Sequence, residues 1–482
     1  MAFKRFQDFL SNLVSRQRQF FVGADEVTIN ELLEKLMGTI GEVSGIVTAR
    51  QLLDRYTELS DEQKLDFFQH LEKSYNADES LVRDAFNRYS RNPSSASLNV
   101  LSKTAEPKRH ELLRRLNSTP DATHDLVEMR TDLLKCLADD QDLKSVDDDF
   151  IRLFTSWFGR GFLVLQTINW STSAAILDRI IRYEAVHEIK DWDDLRSRID
   201  PPNRRCFAFF HPALTDEPLI FVEVALSVGV PNSIASILET EVPSVDVNVD
   251  YTTATFYGIS NCQPGLKNIS FGNFLIKQVV QELQVEFPSI KSFVTLSPVP
   301  GFQSWLTSQI DDEFKELRDL QSELNQTAKS AESVRINSEL IRKAVFNYLT
   351  KVKKGKYPAD PVARFHLGNG ASIYQLNVGA DLSVKGLDQS WGTMVNYLYD
   401  LNDIEENHEF YATEGEIKFN DKLKALLIKE SQRISQISNK VFRWRLKAKP
   451  QSQELQPYAG VFRVFDSRYV IFRIDNFWRW NQ

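Results

Sequence analysis

The stretch FYGISNCQPGLKNISFGNFLIKQVVQEL, residues 256–283, changes its hydrophobic period half-way along. Its first part belongs to a run, 252–259, rich in β-branched and aromatic residues, the composition of a strand. Its last part carries Phe274, Leu275, Val279 and Leu283 at helical intervals within 270–286, which predicts a helix packed on a sheet. The join, 262–273, holds Gly265 and Gly272, which let the backbone approach a ligand, and Lys267, a point charge suited to phosphate. Ser270 is a good N-cap. A helix start offers N–H groups with no partner inside the helix, together with the positive end of the helix dipole, and both attract anions. The motif is neither G-x-G-x-x-G nor a P-loop, so a plain capped strand–helix turn also accounts for it.

Working outward, residues 204–210 and 219–226 are short apolar runs bounded by Pro and polar residues, which read as buried strands. Residues 292–296 and the alternating 371–378 read as two more. A long helix is expected over 338–352, where Leu340, Ile341, Ala344, Val345, Tyr348, Leu349 and Val352 recur at helical intervals. The charged stretch 311–332 reads as a solvated helix or insert. Strands mixed with helices indicate an α/β or α+β layer architecture. Ahead of residue 150 the pattern is helical throughout. Ile29, Leu32, Leu33, Leu36, Met37 and Ile40 form one stripe. Ser60-Asp-Glu-Gln63 fits a capping box ahead of Leu65, Phe68 and Leu71, and Pro120 suits a first helical position. The acidic run 147–149 marks a boundary. The organisation expected is an all-α helical bundle over 1–149, an α+β domain over 150–440 and an aromatic and basic tail over 441–482.

Composition narrows the function classes. The 482 residues carry 58 Lys+Arg against 66 Asp+Glu, a net charge of −8, so no basic footprint marks nucleic acid as a partner. The longest apolar stretch, 218–230, is interrupted by Glu223 and falls short of the roughly 18–20 residues that cross a bilayer. Cys136, Cys206 and Cys262 are too few and too scattered for a disulfide framework or a paired-cysteine metal site, and they fit a reducing cytosol best. The mildly basic, amphipathic stretch 1–21 reads as a first helix in preference to a mitochondrial leader, so a cytoplasmic location is expected. None of the seven His has the spacing of a zinc motif, so no metal is expected.

Four residues stand out as chemistry. His366, in Phe365-His366-Leu367-Gly368-Asn369-Gly370 at a turn before a strand, is the natural acid–base candidate. His211, in Phe210-His211-Pro212, shares the ambiguity between structure and catalysis. Ser297 ends a strand in Thr295-Leu296-Ser297-Pro298-Val299-Pro300-Gly301, a backbone made rigid by two prolines. It is not in a G-x-S-x-G elbow, so a covalent nucleophile is not indicated. Glu223 interrupts a run fit for burial and needs a partner, Arg204 or Arg205, or an edge facing solvent.

Several stretches together resemble the malonyl-CoA decarboxylase family: SKTAEPKRHELLRRLN (102–117), WFGRGFLVLQTINW (157–170), FAFFHPALTDEPLIFVEVAL (207–226), residues 256–283 above, TLSPVPGFQSWL (295–306), FHLGNGA (365–371) and MVNYLYDL (394–401). The match runs in order from about residue 70 to about 415. The resemblance implies an N-terminal helical assembly domain and a catalytic domain with the acyl-CoA N-acetyltransferase (GNAT) fold. It further implies conversion of malonyl-CoA to acetyl-CoA and CO2 in fatty acid metabolism, and a homo-oligomer, a tetramer in the family. CoA enters as part of the substrate, and no separate cofactor is implied. The family's CoA-binding loop falls on Gly265, Leu266, Lys267, Asn268, Ile269, Ser270, Phe271, Gly272 and Asn273. Its catalytic serine and histidine fall on Ser297 and His366, with Asn369 and Tyr397 as supporting partners. Ser270 departs from the family pattern, which has Glu there, and the departure removes any charged role at that position. The tail beyond 440 has no counterpart in the family. The competing expectations are a CoA-dependent N-acyltransferase relative and an inactive CoA-binding assembly protein.

Overall fold

The computed structural model describes residues 27–38, 41–239, 249–269, 275–308, 315–326 and 329–427. The tail expected over 441–482 and the first helix expected over 1–21 lie outside them. Eight helices open the described chain: α1 Ile29–Met37, α2 Glu42–Thr57, α3 Asp61–Ser74, α4 Glu79–Arg91, α5 Ser95–Thr104, α6 Lys108–Leu116, α7 Ala122–Cys136 and α8 Lys144–Trp157. The capping box expected at Ser60 is present, with the Ser60 side chain accepting from the Gln63 N–H and Gln63 reaching back. Thr28 and Glu31 make another at α1. Pro120, expected to start a helix, lies ahead of α7, whose N-cap is Asp121 in the left-handed region at φ 60°.

The division expected at 149/150 falls inside α8. The acidic run that suggested it is solvated only at Asp148: Asp147 and Asp149 are buried. Asp147 takes the Nε of Arg130 at 2.8 Å and Asp149 the Nε of Arg109 at 2.7 Å. His110 adds a 2.6 Å contact to Asp149. Buried charges survive only when paired in this way, so the run holds the bundle together instead of ending it.

After α8 the chain builds one eight-stranded sheet. Its strands are β1 Val164–Ile168, β2 Arg204–Phe210, β3 Pro218–Ser227, β4 Thr253–Asn261, β5 Ser292–Thr295 and β6 Ser297–Pro298, then, past a short hairpin of β7 Lys353–Lys354 and β8 Tyr357–Pro358, β9 Ser372–Asn377 and β10 Met394–Leu398. The order is β1-β2-β3-β4-β5-β10-β6, with β9 on β10. Every named pairing is antiparallel except β4 with β5. Nine of the ten β3 residues are buried. Such a continuous apolar strand needs cover on both faces. On one face Cys206, Ala208 and Phe210 of β2 alternate into a cluster with Ile176, Leu177 and Ile180 of α9 (Ala174–Tyr183) and with Leu195 and Ile199 of α10 (Trp192–Ile199). The remaining helices are α11 Ala235–Leu238, α12 Leu275–Glu286, α13 Phe302–Thr307, α14 Lys315–Asn325, α15 Ala331–Ile336, α16 Ser338–Lys351, α17 Pro361–Gly368, α18 Val384–Ser390 and α19 Ile404–Glu414. The charged α14 was expected to be solvated, yet it buries Leu317, Leu320, Gln321 and Leu324. The expected α+β arrangement, helices followed by a mixed sheet, is the one observed.

Two features of the sheet make room for a site. A register shift opposite Glu223 and Val224 leaves Tyr257 as an extra residue on β4, and such bulges bend a strand and re-aim its side chains. The parallel pairing of β4 with β5 covers only Thr253–Phe256 against Ser292–Thr295. Beyond it β4 continues to Asn261 beside β3, while the other chain leaves as β6 and pairs Ser297 with Val395 of β10. The two strands part, and the gap is a cleft.

Candidate active site

The cleft has a volume of about 430 Å³ and is walled by Phe256, Tyr257 and Ile259 of β4, Ser297 and Pro298 of β6, and Val362, Phe365, His366 and Asn369 at α17. Ile269 and Leu275, the described residues on either side of 270–274, also line it. Its walls are largely apolar, with Arg364 the one permanently charged residue among the described lining. The Arg364 guanidinium is held by the carbonyls of Pro358 and Ala359 at 3.2 and 3.0 Å.

His366 and Ser297, 69 positions apart, meet in this wall: Nε2 of the imidazole lies 3.0 Å from the serine Oγ. Asp360 holds the two segments in place. It caps α17 by accepting from the N–H groups of Val362 and Ala363, with Pro361 at the first helical position. Its other oxygen accepts from the Gly301 N–H at 3.1 Å, pinning the turn that follows Ser297. The turn packs closely at Gly301, where an added Cβ would come within 2.2 Å of the Tyr348 hydroxyl and displace it. His366 therefore stands in the last turn of a helix, not in the turn before a strand that its neighbours suggested. It is 3 % exposed, and burial lowers its pKa to about 3, so the resting ring is neutral.

The partners of this pair differ in part from expectation. Tyr397 does not bond to the imidazole; it stacks on it, centroids 4.7 Å apart and planes at 27°. The Asn369 side chain donates to the Phe365 carbonyl at 2.7 Å, and its backbone N–H caps the His366 carbonyl. Two residues that sequence reasoning missed bond the pair directly. The Tyr399 hydroxyl is 2.8 Å from His366 Nδ1, and the Ser297 hydroxyl donates to Thr295 Oγ1 at 2.9 Å. Tyr397 and Tyr399 are two apart at the end of one strand, so the period that points one at the imidazole points the other there too.

The loop after β4 behaves differently from its first reading. Gly265 is buried with Leu266 in a turn of 3₁₀ helix, Pro264–Leu266, and an added Cβ would lie 1.9 Å from the Val127 carbonyl oxygen in α7. Its close approach is to the helical bundle, not to the cleft. The N–H groups of Leu266, Lys267 and Ile269 bond the carbonyls of Gln263, Pro264 and Leu266, so they are not free for an anion. Lys267 and Asn268 are exposed at the tip, with Asn268 in the left-handed region at φ 66°. Ser270, Phe271, Gly272 and Asn273 lie outside the described residues.

His211 is structural: its Nδ1 accepts from the Ala213 N–H at 3.2 Å and its ring packs on Phe158. Glu223 is 1 % exposed, and its neighbour is Arg198 at 3.6 Å. Of the partners first considered, Arg204 bonds the Ile237 carbonyl and Arg205 pairs with Glu286.

A helical bundle joined to a mixed sheet, with a buried serine–histidine pair in an apolar cleft where that sheet parts, is an α+β architecture with a candidate active site. Comparison with known proteins makes this particular. Residues 161–437 match the family model "Malonyl-CoA decarboxylase C-terminal domain" and residues 75–158 "Malonyl-CoA decarboxylase N-terminal domain". The mitochondrial malonyl-CoA decarboxylase of the goose Anser anser anser is 35% identical over 348 residues, 66% of this chain and 69% of that one. The crystal structure of the Rhodopseudomonas palustris malonyl-CoA decarboxylase is 44% identical with a TM-score of 0.76, over 82% of this chain and 98% of that chain. The Agrobacterium vitis structure is 45% identical with a TM-score of 0.74, over 83% and 100%. The chain belongs to the malonyl-CoA decarboxylase family. It is a carboxy-lyase that takes malonyl-CoA to acetyl-CoA and CO2, and the N-acyltransferase and inactive-protein alternatives give way to that assignment. Among the described residues no helix is long and apolar enough to cross a membrane.

Proposed function

We propose that the malonyl end of the substrate lies in the cleft between β4, β6 and α17 and that Ser297 and His366 carry its proton chemistry. The observation behind this reading is the 3.0 Å contact of their side chains in the cleft wall. Decarboxylation breaks the bond between the malonyl methylene and the carboxyl carbon, and the electron pair passes into the thioester carbonyl as an enolate. The substrate supplies this electron sink itself, so the chemistry requires neither a metal nor an organic cofactor. The enolate carbon then needs one proton. The Ser297 hydroxyl delivers it while the imidazole N–H refills the serine oxygen, and a neutral ring suffices because a thioester enolate is a strong base. Arg364 offers the cleft a fixed positive charge for the substrate's carboxylate or phosphates. The CoA portion is assigned to the loop after β4, whose described part exposes Lys267 and Asn268.

Malonyl-CoA supplied without any acceptor amine should give acetyl-CoA and CO2 in equal amounts. His366→Ala and Ser297→Ala should each lower turnover by roughly 10²-fold or more with the fold intact by circular dichroism. Turnover at the wild-type rate in either variant removes that residue from the reaction.

We further infer a homo-oligomer in a reducing compartment, with the cytoplasm as the location the sequence suggests. Assembly is supported by the α4–α5 hairpin, where Leu81, Phe86, Leu98 and Val100 are 56, 56, 49 and 46 % exposed and only Ala85 is buried. Apolar side chains gathered on one hairpin mark a contact surface. Cys136, Cys206 and Cys262 are unpaired, as a reducing environment keeps them.

A further inference from the structure

The hydrogen bonds around His366 can be assigned proton by proton. A neutral imidazole has one N–H, and either nitrogen can hold it. Thr295 Oγ1 receives the Tyr397 N–H at 3.1 Å and lies 3.4 Å from the Val395 carbonyl, which is the acceptor for its own hydrogen. The threonine oxygen thus has a lone pair left for the Ser297 hydroxyl, 2.9 Å away. With its hydrogen placed there, Ser297 turns a lone pair toward His366 Nε2 at 3.0 Å, so Nε2 carries the ring proton. Nδ1 is then bare and accepts from the Tyr399 hydroxyl at 2.8 Å. Every polar hydrogen has an acceptor in this arrangement. In the reverse one the serine donates to Nε2 and Nδ1–H donates to Tyr399. The Tyr399 hydrogen then has no acceptor among the described residues, and Thr295 loses a donor. All four side chains are buried, with Tyr399 1 % exposed, so water does not make up the difference.

We propose that Thr295 and Tyr399 are positioning residues that set the direction of the proton relay, Tyr399 to His366 to Ser297, so that Ser297 donates a proton and does not attack the thioester. This rests on the assignment of Ser297 and His366 to the reaction. A serine nucleophile needs a bare Nε2 beside it and an acceptor, typically a carboxylate, holding Nδ1–H. Here a tyrosine stands where that carboxylate would be, and it donates. When the enolate forms, Ser297 gives its proton to the carbon, Nε2–H goes to the serine oxygen and the Tyr399 proton goes to Nδ1. The charge that left the substrate ends on the Tyr399 oxygen, a weaker base than the enolate; after the product leaves, Ser297 takes a proton from the open cleft and the relay passes one on through His366 back to Tyr399. No bond to sulfur is touched, so the acetyl-CoA thioester survives.

The ring nitrogens report the tautomer directly. With only seven His in the chain, ¹⁵N-imidazole NMR resolves them, and His366→Gln identifies the His366 signals. The wild-type enzyme at pH 7 should show a neutral ring protonated at Nε2. Tyr399→Phe, which removes one hydroxyl, should give a mixture of tautomers, a kcat lower by about tenfold and a KM within about twofold. A wild-type ring protonated at Nδ1, or doubly protonated at pH 7, overturns the proposal, and so does full kcat in a folded Tyr399→Phe. If that variant does not fold, the wild-type spectrum still decides. An Nε2-protonated ring together with normal turnover in His366→Gln would instead sink the assignment of His366 to the reaction, so the two failures are distinguishable.

Discussion

Arg130, in helix α7 of the bundle, donates from Nη1 to the Gly265 carbonyl at 2.6 Å, and the same nitrogen reaches the Lys267 carbonyl at 2.9 Å. The guanidinium is fully buried, and Asp147 balances it. The helical half therefore grips the loop after β4 by its carbonyls, and the same helix packs so close at Val127 that only glycine fits opposite. Because the obstructing atoms are backbone, Gly265→Ala should force helix and loop apart. A loss of about 1–3 kcal/mol or more is expected, seen as a lower urea midpoint. An unchanged midpoint would mean the two halves are not held at this point.

Arg130→Met keeps much of the volume and removes the donor. Asp147 would retain Lys144 at 2.8 Å, but the two loop carbonyls would be left without their donor. Breaking one side of a buried ion pair costs about 3–5 kcal/mol. If the loop binds the CoA portion, KM for malonyl-CoA should also rise while kcat changes less, since Ser297 and His366 sit on other elements. A fall in kcat at constant KM would argue that the grip serves the reacting end.

These contacts show where the sequence was legible and where it was not. Strand β2 was expected over 204–210 and is found as Arg204–Phe210, because a strand covered on both faces is an uninterrupted apolar run. The caps of α3 were legible because capping is local. The boundary at 149/150 was misplaced because an acidic run looks alike whether it faces water or pairs with arginines 17 and 40 positions away. His366 and Ser297 stood out by residue type and rigid surroundings, yet the bonds that orient them come from Thr295 and Tyr399. Tyrosine and threonine are ordinary strand residues, and only the pairing of β5 with β10 beside α17 turns their hydroxyls to this use.

Glu223 gives a test of stability against pH. Both carboxylate oxygens lack a hydrogen-bond partner among the described residues, and burial raises the pKa from 4.5 to about 8. The folded protein therefore binds this proton more tightly than the unfolded chain does. Its contribution is complete below 4.5 and is lost as pH rises through about 8. Glu223→Gln keeps the shape without the ionisation, so its melting temperature should match the wild type at pH 5 and exceed it at pH 8.5. A gap of roughly 2–4 °C would correspond to about 1 kcal/mol. A gap of the same size at both pH values would show that ionisation is not its source.

The α4–α5 hairpin should govern assembly. Phe86→Glu with Leu98→Glu puts charges on its exposed apolar surface without touching the cleft. Light scattering should show a smaller particle, and the melting temperature of the chain should change little. An unchanged mass would place the contact between copies elsewhere.

The neutral imidazole carries the last prediction, in which stability and activity respond to pH differently. Burial holds His366 at about 3 against an ordinary 6.5, so in the folded state it binds fewer protons than in the unfolded chain. Its contribution to stability is present above 6.5 and is lost as pH falls toward about 3. The acid limb of the wild-type melting curve should therefore be steeper than that of His366→Gln. Turnover, by contrast, needs the ring neutral and N–H-bearing, a state that does not change between about pH 6 and 9 when the pKa lies so low. A plot of kcat against pH should be flat across that range. A limb that falls near pH 6.5 would show that the charged imidazole is the working acid, and one that rises there would show a bare nitrogen acting as a base. Only the flat profile fits a ring that passes its proton on through Ser297 without first taking one up.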